Sequence, residues 1–229
     1  MVWRQDPGEW DRYWNGQGSK PPSSLHQAYA LVAAFYRRFI IRRALTRFVA
    51  RWFEPRARLL HAGCGSGQVD ADVLAFADVT ALDISMPALL FYGRANPGRG
   101  HRLGGSIFDL PHAAGTFDGI YNLGVMEHFS EAQVDMILNE FHRVLRPGGR
   151  VVLLWPPEFG LSVAALKVVN FILHRLMKKR TELFPPEINR LRSREHAQQA
   201  LSRADFALEQ FYFGALDFFT HAIVVGTKR

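Results

Sequence analysis

The stretch Leu59-Leu60-His61-Ala62-Gly63-Cys64-Gly65-Ser66-Gly67 constrains this chain more than any other. A short apolar run leads into three alternating glycines, and helix-forming residues follow. Glycine lets a backbone turn tightly and approach a ligand that a Cβ would hold off. A helix starting there would offer free N–H groups and the positive end of its dipole to an anionic group. The spacing is G-x-G-x-G, because Gln68 stands where a G-x-G-x-x-G dinucleotide loop has its third glycine. Asp83 closes the next apolar run, 20 residues after Gly63. A carboxylate at the end of that strand can accept from both hydroxyls of a ribose.

The rest of the chain alternates short apolar segments with helical ones. Arg58–Ala62, Val79–Leu82, Phe117–Asn122 and Arg150–Trp155 read as strands, and His101–Gly105 as a weaker one. Gln68–Phe76, Pro87–Arg94 and Glu131–Leu145 read as helices. This β–α alternation implies right-handed crossovers and a parallel sheet. Upstream, Ser23 and Ser24 can cap a helix whose apolar spacing runs from Leu25 to Phe53, until Glu54-Pro55 ends it. Pro156 to Ser202 breaks the rhythm with a long helical insert. Phe206–Phe213 and Asp217–Gly226, joined by Gly214-Ala215-Leu216, read as an antiparallel hairpin closing the sheet. The expected organisation is a helical cap over residues 1–56 and a domain over 57–229 with the insert at 156–202.

Composition narrows the class. With 48% hydrophobic and 21% charged residues, the 229-residue chain is too apolar for disorder and too mixed to be a membrane-spanning protein. Its one cysteine, Cys64, excludes an intramolecular disulfide framework and a cysteine zinc cluster, and reads as a small packing residue. The first 14 residues carry Asp6, Glu9 and Asp11 and no apolar core, so no cleavable signal is expected. A cytoplasmic, reducing location follows as an expectation.

Charge is unevenly placed. Leu25–Arg58 carries a net +7 and Leu161–Arg203 a net +6, whereas Leu59–Gly160 between them carries −5. An acidic body with two basic additions favours anionic surfaces, either phosphate or lipid headgroups. Solvated helix faces are the plainer account of the same charges. Arg43, Arg47 and Arg51 fall on one stripe, with Leu45, Phe48 and Trp52 facing away.

Four blocks, in order and in register, resemble the class I S-adenosylmethionine (SAM)-dependent methyltransferases of the small-molecule, type 11 kind. They are the glycine loop with Asp83-Ile84-Ser85; Ser106-Ile107-Phe108-Asp109-Leu110-Pro111 followed by Gly115-Thr116-Phe117-Asp118; Asn122-Leu123-Gly124-Val125-Met126-Glu127-His128-Phe129; and Leu145-Arg146-Pro147-Gly148-Gly149-Arg150. The resemblance implies a Rossmann-like α/β fold with a mostly parallel seven-stranded sheet and an antiparallel C-terminal hairpin. It implies SAM as cofactor and S-adenosylhomocysteine as product. Gly63, Gly65 and Gly67 would lie along the methionine part, Asp83 would hold the ribose, and Ile84 would cover one adenine face. Asp109 would accept from the adenine amino group, with the Phe108 N–H nearby. Asn122 and Leu123 would border the methyl region. An aromatic segment before the sheet, Trp10-Asp11-Arg12-Tyr13-Trp14, would overlie the pocket and bring Tyr13 to the SAM carboxylate. Asp118 would support the sheet. In one departure, His61 stands where the family has Asp or Glu. Either that contact shifts to backbone carbonyls or the affinity for SAM is lower.

Methyl transfer is an in-line displacement at a carbon already activated by a sulfonium, so alignment carries much of the acceleration. A base is needed only where the acceptor loses a proton. His128, beside the expected methyl position, is the candidate base; the alternative is that Glu127-His128 only orders its loop. These two adjacent ligands are too few for a metal, and none is expected. The apolar, basic-ended insert, Leu161–Met177 followed by Lys178-Lys179-Arg180, points to a small apolar or lipid-like acceptor. It also points to peripheral contact with an anionic membrane such as the inner membrane surface. A nucleic-acid substrate is disfavoured, because no [DNS]-P-P-[FYW] block ends the fourth strand. A SAM-fold module that serves a protein partner without turnover is the second class of reading.

Overall fold

Strands covered on both faces need nearly continuous apolar runs, and this chain supplies them. The computed structural model describes residues 7–17, 31–32, 34–160 and 187–229. Its strands are β1 (Arg58–Ala62), β2 (Asp78–Asp83), β3 (His101–Gly104), β4 (Phe117–Leu123), β5 (Leu145–Trp155), β6 (Phe206–Tyr212) and β7 (Ala222–Lys228). They form one seven-stranded sheet of order β3-β2-β1-β4-β5-β7-β6. β1 to β5 are parallel to their neighbours, and β7 lies antiparallel between β5 and β6.

Six α-helices frame the described sheet: α1 (Pro7–Gln17), α2 (Arg42–Trp52), α3 (Val73–Phe76), α4 (Met86–Ala95), α5 (Glu131–Val144) and α6 (Arg194–Arg203). Local chemistry sets their starts. The Ser85 hydroxyl caps α4, with Pro87 in the first turn. Ser130 and Gln133 form a reciprocal capping box on α5. The Ser193 hydroxyl accepts from the His196 N–H at the start of α6.

Successive strand residues point to opposite faces, so the core has two layers. Leu60, Ile120 and Leu153 pack with Ile137 and Phe141 of α5 and Leu201 of α6. On the other face Leu59, Tyr121, Val152 and Val225 pack with Leu45, Phe48 and Val49 of α2. The Arg43, Arg47 and Arg51 stripe of α2 is exposed, as its spacing predicts. Asp118 ties the sheet: its Oδ2 accepts from the Arg58 N–H at 2.7 Å and its Oδ1 pairs with Arg146 at 2.6 Å.

Several expected boundaries shift. The helix expected over Gln68–Phe76 shrinks to Val73–Phe76, because the Asp70 side chain turns inward to His61 and Tyr92 and its N–H bonds to Gly67 O. The expected helix from Leu25 is described from residue 31 and passes through a π-helical segment, Arg37–Ile41, before α2. The proposed Ser23 and Ser24 caps and the apolar helix Leu161–Met177 lie outside the described residues. β5 begins at Leu145, five residues before the expected start. The closing hairpin is antiparallel, but β7 starts at Ala222 rather than Asp217. Asp217 instead sits buried in a 3₁₀ turn (Ala215–Asp217), where its carboxylate accepts from the His221 N–H at 2.7 Å.

The close approach of α2 to the sheet rests on Gly119 of β4. A Cβ there would meet the Phe53 ring at 2.1 Å. Gly119→Ala should therefore destabilise the fold by about 1–3 kcal/mol. Urea unfolding would show this as a lower midpoint at unchanged slope.

Candidate active site

The glycine loop leaves β1 with Gly63, Gly65 and Gly67 at φ of 74°, 52° and 62°. These left-handed conformations are the reason glycine stands there. The N–H groups of Gly63 and Cys64 donate to Leu82 O at 2.9 and 3.0 Å, which ties the loop to β2. Gly65 N donates to Asp83 Oδ2 at 2.8 Å, and Ser85 N donates to Asp83 Oδ1 at 2.9 Å. Asn96 Nδ2 donates to Gly67 O at 2.9 Å. A Cβ on Gly67 would lie 2.3 Å from the Tyr92 ring. The loop is thus held from three sides, yet turns follow it rather than the expected helix start.

Asp83 is buried at the end of β2. Burial pushes its carboxyl up, while the Ser85 and Gly65 N–H groups and nearby His61 pull it back. Ile84 follows it, half-buried. The burial of Cys64 raises its thiol well above the ordinary range, which fits a packing role.

His61 is not an isolated departure. Its Nδ1 lies 2.8 Å from Asp70 Oδ2, and the two residues are 2% and 0% exposed. The Tyr92 hydroxyl donates to the same oxygen at 2.8 Å. The Tyr121 ring stacks on the imidazole, with centroids 4.4 Å apart. The signal for Asp70 in the sequence was a carboxylate close behind the glycine loop, but the helical reading of that segment hid it.

α1 lies across the loop. A Cβ on Gly65 would come within 2.8 Å of Trp14. The Ser85 hydroxyl donates to Asp11 Oδ1 at 2.6 Å. Trp14 packs on Phe91 of α4, and Trp10 meets His128 edge-on at 5.1 Å. Tyr13 sits between Trp10 and Trp14, at 6.2 and 5.2 Å. One helix therefore bridges the glycine loop and the loop after β4. Asp11 and Trp14 were not singled out as site residues in the sequence, because only the tertiary fold brings them to Ser85 and Gly65.

Phe108 and Asp109 lie in a turn after β3. Phe108 N donates to the Ser106 hydroxyl at 3.2 Å, so its N–H is already engaged; Asp109 is exposed. Asn122 and Leu123 end β4. Asn122 is fully buried, and neither its Nδ2 nor its Oδ1 has a partner among the described residues. A buried amide in that state is costly unless a ligand satisfies it. The loop then places Glu127 at 3% exposure with Oε2 unpartnered, and its backbone oxygen accepts from the Ile188 and Asn189 N–H groups. Burial, reinforced by Glu187 and opposed by Arg190, pushes the Glu127 carboxyl up to about 8. His128 Nε2 lies 3.9 Å from Glu127 Oε1. The buried, raised acid is the feature the sequence reading missed; an adjacent charged pair does not reveal which member faces inward. Among the described residues there is no metal-holding group of three or more His, Cys, Asp or Glu.

Comparison with known proteins fits this architecture. Residues 60–153 match the family described as "Methyltransferase domain". An uncharacterized methyltransferase of Synechocystis sp. is 33% identical over 45% of this chain and 53% of that protein. The demethylmenaquinone methyltransferase of Symbiobacterium thermophilum is 34% identical over 47% of this chain and 46% of that protein. The chain thus spans about half the length of these relatives. The crystal structure of the Synechocystis magnesium protoporphyrin IX methyltransferase with bound S-adenosylhomocysteine superposes at a TM-score of 0.68 and 15% identity. That match covers 98% of this chain and all of the other, and it establishes the fold.

The Glu127 shift has a signed consequence. Between the ordinary value of 4.5 and about 8, the native state holds a proton that the unfolded chain has lost. Stability contributed by the neutral carboxyl therefore declines as pH rises through that window. Glu127→Gln should flatten this decline, and thermal melts from acid to mildly alkaline pH would show the two curves separating as pH rises.

Proposed function

We propose that this chain, which belongs to the class I SAM-dependent methyltransferases, transfers a methyl group from SAM to a small apolar or lipid-like acceptor. One observation carries the reading. A glycine cradle and a buried carboxylate end β1 and β2, and an unsatisfied buried amide ends the neighbouring β4. Ligands of open α/β sheets bind beyond those strand ends.

SAM, when bound, supplies a methyl group already activated on sulfur. The chain's own residues bind and orient. Gly63, Gly65 and Gly67 admit the methionine part close to the backbone. Asp83 accepts from the ribose, Ile84 covers one face of the adenine, and Phe108 and Asp109 border its edge. Tyr13 on α1 reaches the carboxylate end. α1 excludes water above the loop through Trp10 and Trp14. Asn122 and Leu123 face the methyl and the incoming acceptor. His128 takes the proton where the acceptor must lose one. Glu127, neutral at pH 7 by virtue of its burial, can donate a hydrogen bond to a polar atom of the acceptor without adding charge.

An exposed face supports the apolar acceptor and its membrane source. Leu31, Val32, Phe35 and Phe39 are 72%, 67%, 61% and 43% exposed. With Arg38 and Arg42 they line a groove of about 770 Å³. Six arginines and no acidic residue lie between Leu31 and Phe53. Apolar side chains flanked by guanidinium groups match the interface of an anionic bilayer, with each arginine contributing about 1 kcal/mol near the surface. Among the described residues no helix is long and apolar enough to cross a membrane. The demethylmenaquinone and magnesium porphyrin acceptors named for two similar proteins are apolar and fit this reading.

Calorimetric titration tests the cofactor site. Asp83→Ala removes the ribose acceptor and should weaken SAM binding by about 100-fold, on the scale of two hydrogen bonds to a charged group. An unchanged dissociation constant sinks the assignment. Sedimentation tests the surface. The chain should pellet with vesicles containing phosphatidylglycerol, less so as salt rises, and Phe35→Ser with Phe39→Ser should release it. Equal pelleting with neutral vesicles at all salt concentrations would count against the arginines.

A further inference from the structure

The exposed groove beside Phe35 and Phe39 has an inner wall that belongs to the glycine loop. Gln68, Ala71 and Asn96 line that side. Gln68 directly follows the last loop glycine, and Asn96 Nδ2 donates to Gly67 O at 2.9 Å. Two arginines of the helical segment reach across to the same stretch of chain. Arg37 Nε donates to Gln68 Oε1 at 3.2 Å, and Arg42 pairs with Asp72, its Nε donating to Oδ2 at 2.7 Å. One wall of the groove therefore carries exposed aromatic rings, and the other is the back of the loop. Its volume of about 770 Å³ lies in the range of small-molecule sites. The Phe35 and Phe39 rings stand 4.7 Å apart. Arg38 also lines the groove; it is exposed and has no ion pair among the described residues. Apolar rings beside an unneutralised guanidinium fit an apolar chain with an anionic head. A free phosphate would match the arginine and leave the rings in water.

We propose that this groove seats an acyl chain of an anionic bilayer lipid and that the seating steadies the glycine loop behind it, so that membrane docking raises the affinity for SAM. The chain covers Phe35 and Phe39, and the headgroup pairs with Arg38. A filled groove restricts the wall that it shares with the loop. A loop already restricted loses less freedom when the cofactor arrives. By linkage the effect is reciprocal, and SAM raises the affinity for the bilayer by the same factor. This inference rests on the SAM and surface readings above and adds that the two sites are coupled.

The test is calorimetric titration of SAM into the full chain alone, with saturating phosphatidylglycerol vesicles, and with phosphatidylcholine vesicles. The anionic vesicles should lower the dissociation constant by about 5-fold or more, the lower end of ordinary coupling, and the neutral ones should leave it within about 2-fold. Sedimentation at limiting lipid should show the reciprocal gain when SAM is added. Phe35→Ser with Phe39→Ser should abolish the gain and keep lipid-free SAM binding, because both side chains are exposed. Arg37→Met cuts the tie to Gln68; it should still pellet at saturating lipid and lose most of the gain. Pelleting with anionic vesicles at an unchanged SAM dissociation constant overturns the proposal and leaves both underlying readings standing. So does a gain that survives in the double phenylalanine variant. A chain that dimerises without lipid, and turns monomeric in that variant, overturns it as well, since the face then belongs to a second copy. Failure to pellet removes the surface reading together with the proposal. Absence of SAM binding in every condition removes the SAM reading, and each of these two failures shows in an arm of its own.

Discussion

Everything at the ligand-binding edge depends on how the glycine loop is fastened between β1 and β2. Three left-handed glycines in five positions give up much conformational freedom, and such a loop keeps one shape only when its polar groups are tied down. Here Leu82 O takes two N–H groups, the Asp83 carboxylate takes that of Gly65, and Asn96 takes the oxygen of Gly67. Asp83 thereby organises the loop from beneath. Asp70 works behind the same loop, joined to His61 and Tyr92.

The end of β4 is built on a different principle. Around the end of β4 the structure gathers polar groups that the protein does not satisfy: both amide atoms of Asn122 and one oxygen of Glu127. Each such group costs stability, and a fold retains the cost where a ligand repays it. Glu127 illustrates the trade. N–H groups of Ile188 and Asn189 fix its backbone carbonyl, and burial raises its carboxyl to about 8. α1 completes the enclosure with its aromatic residues. Trp14 covers Gly65 and Trp10 abuts His128, so one helix bridges the glycine loop and the loop after β4. Outside it, the arginine-rich helix turns an apolar edge to solvent.

Much of this was legible in the sequence. The alternation of apolar runs and helical segments yields the parallel sheet, because period-2 and period-3.6 patterns bury different faces. The glycines, Asp83 and the residues ending β4 announce themselves because each needs its own side-chain type at a strand end. Asp118 was read as a support of the sheet and is one, through Arg58 and Arg146. Boundaries were less legible where a side chain competed with local propensity. Asp70 breaks a helix that its neighbours favour, and Asp217 folds a turn out of residues that read as strand.

The sequence by itself determined the fold class, the glycine loop after β1 and the carboxylate that ends β2. Those properties follow from periodicity and from glycine's conformational range, both of which are local. Only the tertiary structure decided the partners. That Asp70 reaches His61, that Trp14 lies on Gly65, and that Glu127 rather than its neighbour is buried are long-range outcomes of packing. No spacing rule encodes them, because they depend on which surfaces meet after the chain has folded.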